Sequence, residues 1–217
     1  MKKTTLTQIL SLATVLATIV STGCAATAGY KRAEKTGKDI ADFREEIVNA
    51  AAAINATVKA LDDVAATADT NPRKAFAAFS KSVDKLESAA DKARKRGQDM
   101  QKQGQAYFKQ WEKQMQEVKN PEIQKLASQQ KTKLQASFDE IRKYTTPLKA
   151  QFDPWLSDLK DLRKYLSNDL SISGVEAAKT LFAKTQAEGL EVQKSMDLLV
   201  AELNTVAATL TPADNRK

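Results

Sequence analysis

Apolar residues recur at alternating intervals of three and four along most of the chain. One run extends over residues 40–64, a second over 76–118, a third over 134–166 and a fourth over 178–210. This spacing gives each α-helix one apolar stripe and is typical of helices packed side by side. The pattern therefore predicts an all-α fold built from four long helices, the first starting near Tyr30.

Break signals separate the four runs. Asn71-Pro72 and Asn120-Pro121 each combine an N-cap residue with a proline in the first turn. Ser173 and Glu176 have the spacing of a capping box before the fourth helix. Pro147 and Pro154 lie inside the third run. Because the apolar register continues through them, the sequence favours kinks over helix breaks.

Short connections between long helices predict an elongated antiparallel four-helix bundle, or coiled coil, with up-down-up-down topology. The second helix, of about 47 residues, would span about 70 Å, and the two outer helices would be about ten residues shorter. The second and third helices are therefore expected to overhang as a hairpin with its tip near Asn120. Folding neighbouring helices back on each other predicts five close pairs, most of them of a large and a small residue: Phe43 with Gly97, Gly97 with Tyr144, Gly104 with Ala136, Phe152 with Gly189, and Trp155 with Thr185.

The composition excludes several classes of fold, catalytic site and metal site. Seven Gly and five Pro among 217 residues argue against a β-rich fold. The chain has no His and one Cys. Ser-His-Asp catalysis, disulfide frameworks and nearly all zinc sites are therefore excluded. Paired acids such as Asp158 and Asp161 alternate with lysines on predicted outer faces, so the sequence predicts no catalytic residue, no cofactor and no metal site, and an enzyme is not expected.

The first residues resemble a bacterial secretory signal. Lys2 and Lys3 precede an apolar stretch, 6–20, which is shorter than the ~20 residues of a membrane span. Ser21-Thr22-Gly23-Cys24 resembles a lipobox, in which the cysteine sulfur receives a diacylglycerol group and becomes the new N-terminus. We expect lipidation of Cys24 and attachment to the periplasmic face of the outer membrane. The alternative is cleavage after Ala26 or Ala28, which would give a soluble periplasmic protein.

These signals divide the chain into a cleaved signal peptide, 1–23, a lipidated N-terminus with a short tether, 24–29, a single helical domain, 30–210, and a C-terminal tail, 211–217. The whole chain carries a formal net charge of +7. Basic residues are candidates for contact with an anionic surface, and the alternative is a solvated, partly ion-paired face. Nucleic acid is not an expected partner, because a secretory signal takes the chain away from it. The candidate residues are Lys92, Arg94, Lys95, Arg96, Lys119 and Lys125.

Three segments carry a family resemblance: the signal that ends at Cys24, the stretch Tyr107–Glu112, and Phe152-Asp153-Pro154-Trp155-Leu156 leading into 166–170. Residues 30–210 resemble a bacterial family of helical envelope lipoproteins catalogued only as a domain of unknown function. The resemblance implies a location and a fold. It implies no activity and no functional residues.

Two functions follow as hypotheses. The first is a lipid-anchored periplasmic rod that acts as a scaffold or adaptor for an envelope protein partner. The second is a binding module for an envelope lipid, peptidoglycan or a small ligand, which predicts an internal cavity near residues 147–154. The periodicity leaves the oligomeric state open, because a four-helix bundle already satisfies the apolar stripes.

Overall fold

The computed structural model describes residues 23–210, and the regular structure in this range is entirely helical. The predicted all-α class is confirmed. The predicted signal peptide, apart from Gly23, and the tail 211–217 lie outside the described residues. The five helices of the described range are α1 Gly23–Ala66, α2 Pro72–Gln116, α3 Pro121–Asn168, α4 Ile172–Ala177 and α5 Lys179–Leu210.

The four long helices form an antiparallel bundle. α1 packs against α2, α2 against α3, and α3 against α5, which closes the bundle by returning to α1. The short α4 lies between α3 and α5 and contacts both α1 and α5. The apolar stripes meet at the centre, where the largest fully buried side chains are Trp155, Phe79, Phe182, Ile40, Ile54 and Leu61.

The predicted helix starts are confirmed for α2 and α3. The Asn71 side chain accepts a hydrogen bond from the Lys74 backbone N–H at 3.4 Å. The Asn120 side chain accepts from Glu122 N–H at 2.9 Å. Each cap is followed by a proline, whose missing N–H costs nothing in the first turn. Farther along, α3 continues through Pro147 and Pro154 as one helix.

The start of the last helical segment differs from the prediction. The N-cap is Ser171, not Ser173, and its hydroxyl accepts from Gly174 N–H at 3.1 Å. The cause is local, because the Asp169 carboxylate accepts from both the backbone N–H and the hydroxyl of Ser171, at 3.1 and 2.7 Å. These bonds fix Ser171 in the capping position. The hydroxyl of Ser173 lies 3.0 Å from that of Ser171.

Two of the five predicted residue pairs are confirmed. A Cβ added at Gly97 would lie 3.0 Å from Phe43 Cε2, and Trp155 Nε1 donates to the Thr185 carbonyl at 2.7 Å. Two further pairs are wrong by two or three residues along α3. Gly104 faces Phe138 instead of Ala136, and Gly189 lies against Trp155 and Val58 instead of Phe152.

The α2–α3 hairpin extends past the end of α5, because α5 has 32 residues whereas α2 and α3 have 45 and 48. α1 was expected to be short as well, but it begins at Gly23 and has 44 residues. Its first turns accompany the hairpin, and Arg32 Nη2 donates to Gln114 Oε1 at 2.6 Å. The alanine-rich segment 24–29, interpreted above as a tether, continues this helix.

Candidate ligand-binding cavity

A cavity of about 490 Å³ lies between α2 and α3 and reaches the facing sides of α1 and α5. We call it the α2–α3 cavity. Its volume falls within the range of small-molecule sites, roughly 300–1,000 Å³. The inner wall is apolar and draws on all four long helices, and it consists of Phe43, Ile47, Ala50, Ala90, Ala93, Met100, Phe138, Ile141, Leu148, Phe152, Met196 and Leu199.

Small side chains on α2 leave room for the α2–α3 cavity. Three small residues of this helix, Ala90, Ala93 and Gly97, line the cavity over two turns, together with Arg94 at the mouth. On the opposite wall, Pro147 lies within the α3 segment that lines the cavity, and its ring removes one hydrogen bond of that helix. The cavity therefore lies against the α3 segment that contains Pro147.

Polar side chains surround the opening of the cavity between α2 and α3. The mouth contains three cationic side chains, a single carboxylate, two amides and two hydroxyls. Most of these side chains are exposed, whereas most of the inner wall is buried. The mouth residues are Arg94, Gln98, Gln101, Arg142, Thr145, Thr146, Lys149 and Asp153.

Arg94 is the most constrained of the mouth cations. Its Nη2 lies 2.6 Å from Asp153 Oδ1 across the opening, and its Nη1 lies 2.9 Å from Asp91 Oδ1 on the same helix. The guanidinium also covers the Phe152 ring, with 5.5 Å from Cζ to the ring centroid. Arg94 and Asp153 thus bridge one end of the mouth.

The other two mouth cations are less engaged. Arg142 Nη1 lies 3.4 Å from Asp139 Oδ1, one turn earlier on α3. Among the described residues, Lys149 has no ion-pair partner within 4.0 Å. The mouth lining thus has three cations and one carboxylate, but Asp91 and Asp139 pair with two of these cations, which leaves Lys149 as the mouth cation without an ion-pair partner among the described residues. Such a site can hold an apolar chain inside and an anionic group at the opening.

The structure separates the six basic residues that the sequence singled out. Arg94 faces the cavity mouth, and Arg96 pairs with Asp42 on α1 at 3.7 Å. Lys92 and Lys95 point outward from α2, and Lys119 and Lys125 are exposed at the hairpin tip. These residues do not form one cluster. The side chain of Cys24 lies outside the described part of the chain, so its lipidation stays a prediction.

Two groups of residues were missed by sequence reasoning. Arg142 and Lys149 flank Pro147 one helical heptad apart, and that spacing was the available signal. The second group is a series of lysines on the outward face of α2, at heptad-spaced positions that are all exposed. We call it the α2 lysine row, and it consists of Lys81, Lys85, Lys92, Lys95, Lys102, Lys109 and Lys113.

One partly buried acid lies away from the cavity. Asp39 on α1 has one carboxylate oxygen, Oδ2, that is buried without a hydrogen-bond partner. Burial raises the pKa of this carboxyl above its usual value, and the nearby Lys35 opposes that change. Across residues 23–210, no three His, Cys, Asp or Glu side chains are grouped so that they could hold a metal ion. No helix within the same range is long and apolar enough to cross a membrane.

Comparison with known proteins gives one result. A family model described as "Protein of unknown function (DUF2959)" matches residues 24–210, a range that includes the whole cavity and the α2 lysine row. No curated protein and no solved structure matches the chain. The function therefore has to be argued from the geometry of the bundle.

Proposed function

The chain belongs to this family of proteins of unknown function, and from its geometry we propose that it is a binding module that holds a single-chain anionic amphiphile in the α2–α3 cavity. The observation that carries this proposal is the combination of an apolar interior with a cationic mouth. The scaffold hypothesis predicts neither feature, whereas the binding-module hypothesis predicts a cavity at this place.

The interior favours a flexible apolar chain as ligand. Its walls are aliphatic and aromatic, and Met100 and Met196 contribute side chains that adapt their shape to irregular ligands. The polar mouth residues from Arg94 to Gln101 span about 10 Å along α2. A slot of this length between two helices suits one extended chain better than a wide planar ring system.

The mouth favours an anionic head group. Arg94 can offer two parallel N–H donors to a carboxylate or phosphate once Asp153 and Asp91 release it, and Lys149 adds a second cation. Fatty acids and lysophospholipids share this chemistry of one chain and one anion. Both are constituents of a bacterial envelope, which is the location that the N-terminal sequence predicts for the chain.

The proposal includes this location. Lipidation at Cys24 would anchor the bundle to the periplasmic face of the outer membrane, and several acyl chains give stable attachment. The start of α1 and the tip of the α2–α3 hairpin lie at the same end of the bundle, as the Arg32–Gln114 hydrogen bond indicates. An anchor at residue 24 would therefore hold the hairpin tip near the membrane.

A fluorescent fatty acid tests the binding function. The purified chain is titrated with dansylamino-undecanoate, and bound probe is then displaced with myristate. We expect saturable binding with one probe per chain, because one cavity of this size holds one chain. A fluorescence signal that does not saturate, or that myristate does not displace, would refute the proposal.

A matched pair of variants locates the bound probe. Thr145→Phe adds a ring to the half-buried cavity mouth and should weaken probe binding at least about tenfold. Thr132→Phe makes the same change on an exposed turn of α3 outside the cavity and should leave binding unchanged. Equal affinities for Thr145→Phe and the wild type, with both chains folded, would place the probe elsewhere.

A second candidate function, the scaffold or adaptor rod, is favoured by the outward face of α5. Positions on this face that recur every 11 residues, at intervals of three and four, are all exposed and carry a single charged side chain, and Leu190 and Leu198 are 56% and 57% exposed. The partner that fits this apolar face is an amphipathic helix of an envelope protein. The positions, which we call the α5 outer stripe, are Ala183, Ala187, Leu190, Lys194, Leu198, Ala201 and Thr205.

Photo-crosslinking in cells tests the rod function. A benzophenone amino acid at position 190 or 198 should capture one defined protein, whereas the same residue at exposed position 88 on α2 should not capture it. Identical products from all three positions, or no product from positions 190 and 198, would contradict a partner on the α5 outer stripe.

A further inference from the structure

The α2 lysine row is a continuous line of unpaired positive charge. From Lys81 to Lys113 the outward positions recur at strict intervals of four and three, and Asp99 is the only acidic residue among them. None of the seven lysines has an ion-pair or hydrogen-bond partner among the described residues. The row is about 48 Å long at 1.5 Å per residue.

Three acidic residues of the same helix are bridged to α3. Asp84 pairs with Arg163 on α3, Glu87 pairs with Lys160 on α3, and Glu112 pairs with Lys131 on α3. These interhelix bridges direct three carboxylates of α2 toward α3. Asp91, which pairs with Arg94, borders the row beside Lys92 and Lys95, and Asp99 lies within it. Because the seven lysines outnumber these two acids, the outer face of α2 carries a net positive charge.

We infer that the α2 lysine row lays the bundle lengthwise on an anionic membrane surface. A straight row of exposed charges on a convex helix fits a flat surface and provides no groove for a ligand. Lysine also suits this role, because its ammonium is a flexible point charge that does not require a fixed bidentate partner. Each lysine close to an anionic bilayer contributes to such adsorption.

A nucleic acid is the less suitable polyanion. Proteins that hold single strands combine a basic groove with aromatic side chains that stack on the bases. The outward positions of α2 between residues 81 and 113 include no aromatic residue. The row also begins near the end of the bundle where α1 starts, since Gln114 contacts Arg32. A chain held at its N-terminus can therefore place Lys113 at the membrane first and the rest of the row beside it.

This inference does not depend on the cavity. The two features are nevertheless close, because Arg94 at the cavity mouth and Lys95 in the row are adjacent residues on α2. A bundle lying on its α2 face would bring the cavity mouth close to the lipid head groups.

Vesicle binding tests the inference. The chain carrying Cys24→Ser, which cannot be acylated at this position, is sedimented with phosphatidylcholine vesicles that contain or lack about one third phosphatidylglycerol. We expect strong binding only to the anionic vesicles, falling steeply between low and physiological salt as screening increases. Equal binding to both kinds of vesicle would overturn the inference.

Two quadruple variants with the same net charge separate the row from overall charge. Replacing Lys85, Lys92, Lys95 and Lys102 by Gln should weaken binding to anionic vesicles at least about tenfold. The control replaces Lys143, Lys179, Lys184 and Lys194 by Gln. These four lysines are exposed on α3 and α5, and each has a carboxylate partner. Binding of the control variant should stay within about twofold of the parent.

Two results would overturn the inference in favour of another explanation. Equal losses in both variants would attribute vesicle binding to net charge and overturn the inference. Tighter binding to duplex DNA than to anionic vesicles, at equal phosphate concentration and equal salt, would overturn it in favour of a nucleic-acid partner. Circular dichroism melting curves verify that both variants are folded, since all eight lysines are exposed.

Discussion

The indole N–H of Trp155 on α3 donates a 2.7 Å hydrogen bond to the backbone carbonyl of Thr185 on α5. Gly189, one turn later on α5, makes this approach possible. A Cβ at that position would lie 3.0 Å from Trp155 Cζ2 and 2.8 Å from Val58 Cγ2. Three of the four long helices therefore meet at a glycine, and the packing there tolerates no larger residue.

Gly189→Ala is expected to destabilise the bundle by about 1–3 kcal/mol, because the added methyl overlaps the side chains of both neighbouring helices. Gly29→Ala is the matched control, since a Cβ there meets only Arg32 Nη2 at 3.8 Å. The control should stabilise α1 by up to about 1 kcal/mol through helix propensity. Urea unfolding measures both values, and a neutral Gly189→Ala would contradict the packing described at this site.

Asp39→Asn is expected to raise the melting temperature at pH 7. Burial raises the pKa of the Asp39 carboxyl above 3.8, so the folded state favours the neutral form. The ionised Asp39 carboxylate lowers the free energy of unfolding at any pH above the pKa of the folded state. This loss disappears below pH 3.8, where the carboxyl is neutral in both the folded and the unfolded state. The difference in melting temperature between Asp39→Asn and the wild type should therefore disappear at acidic pH. The control Asp42→Asn loses the ion pair with Arg96 and should give no increase.

Ser171→Ala is expected to cost about 1 kcal/mol, because it removes the N-cap of α4. Ser173→Ala, at the site that the sequence predicted, should cost much less. The side-chain and backbone hydrogen bonds from Ser171 lower the pKa of Asp169 below 3.8. The stability that this carboxylate contributes is present above pH 3.8 and is lost as the pH falls through the folded pKa. A cost of Ser171→Ala that is unchanged between neutral and strongly acidic pH would contradict this arrangement.

Variants of the mouth ion pair are expected to change head-group selectivity in opposite directions. Asp153→Asn frees Arg94 from its partner across the mouth and should raise affinity for myristate about threefold or more. Arg94→Gln should lower it about tenfold. Neither variant should change affinity for tetradecanol, which has a chain of the same length and no charge. Competition with the dansyl probe measures all four affinities.

Arg163→Gln is the control for the loss of an interhelix bridge. It breaks the contact with Asp84, which also joins α2 to α3 but lies outside the cavity. Myristate affinity should be unchanged in this variant. If myristate and tetradecanol bind with equal affinity in every variant, the cavity does not recognise the head group.

Much of the fold was predictable from the spacing of apolar residues. The four long helices, the caps at Asn71 and Asn120, and the approach of Trp155 to Thr185 all follow from local rules applied along the chain. The cap at Ser171 was not predictable in the same way. It depends on the Asp169 carboxylate, whose two bonds to Ser171 outweigh the sequence signal of a capping box two residues later.

The candidate site was harder to predict from the sequence than the fold. Its general position followed from Pro147, but its volume depends on how side chains from four helices fill one space. The sequence placed Lys92, Arg94, Lys95 and Arg96 among the candidates for one kind of contact, although successive residues of a helix point about 100° apart. That rotation directs Lys92 and Lys95 outward, Arg94 toward α3 and Arg96 toward α1.

The central claim is that the bundle holds an amphiphile in its α2–α3 cavity, and native mass spectrometry of the protein isolated from its own membranes tests it most directly. Comparison of the native and the denatured mass separates a bound ligand from acyl groups on Cys24, because only the covalent groups survive denaturation. We predict a native mass that exceeds the denatured mass by one single-chain lipid. This excess should be absent in Thr145→Phe and retained in Thr132→Phe. Equal native and denatured masses for the wild type, or the same excess in Thr145→Phe, would contradict the claim.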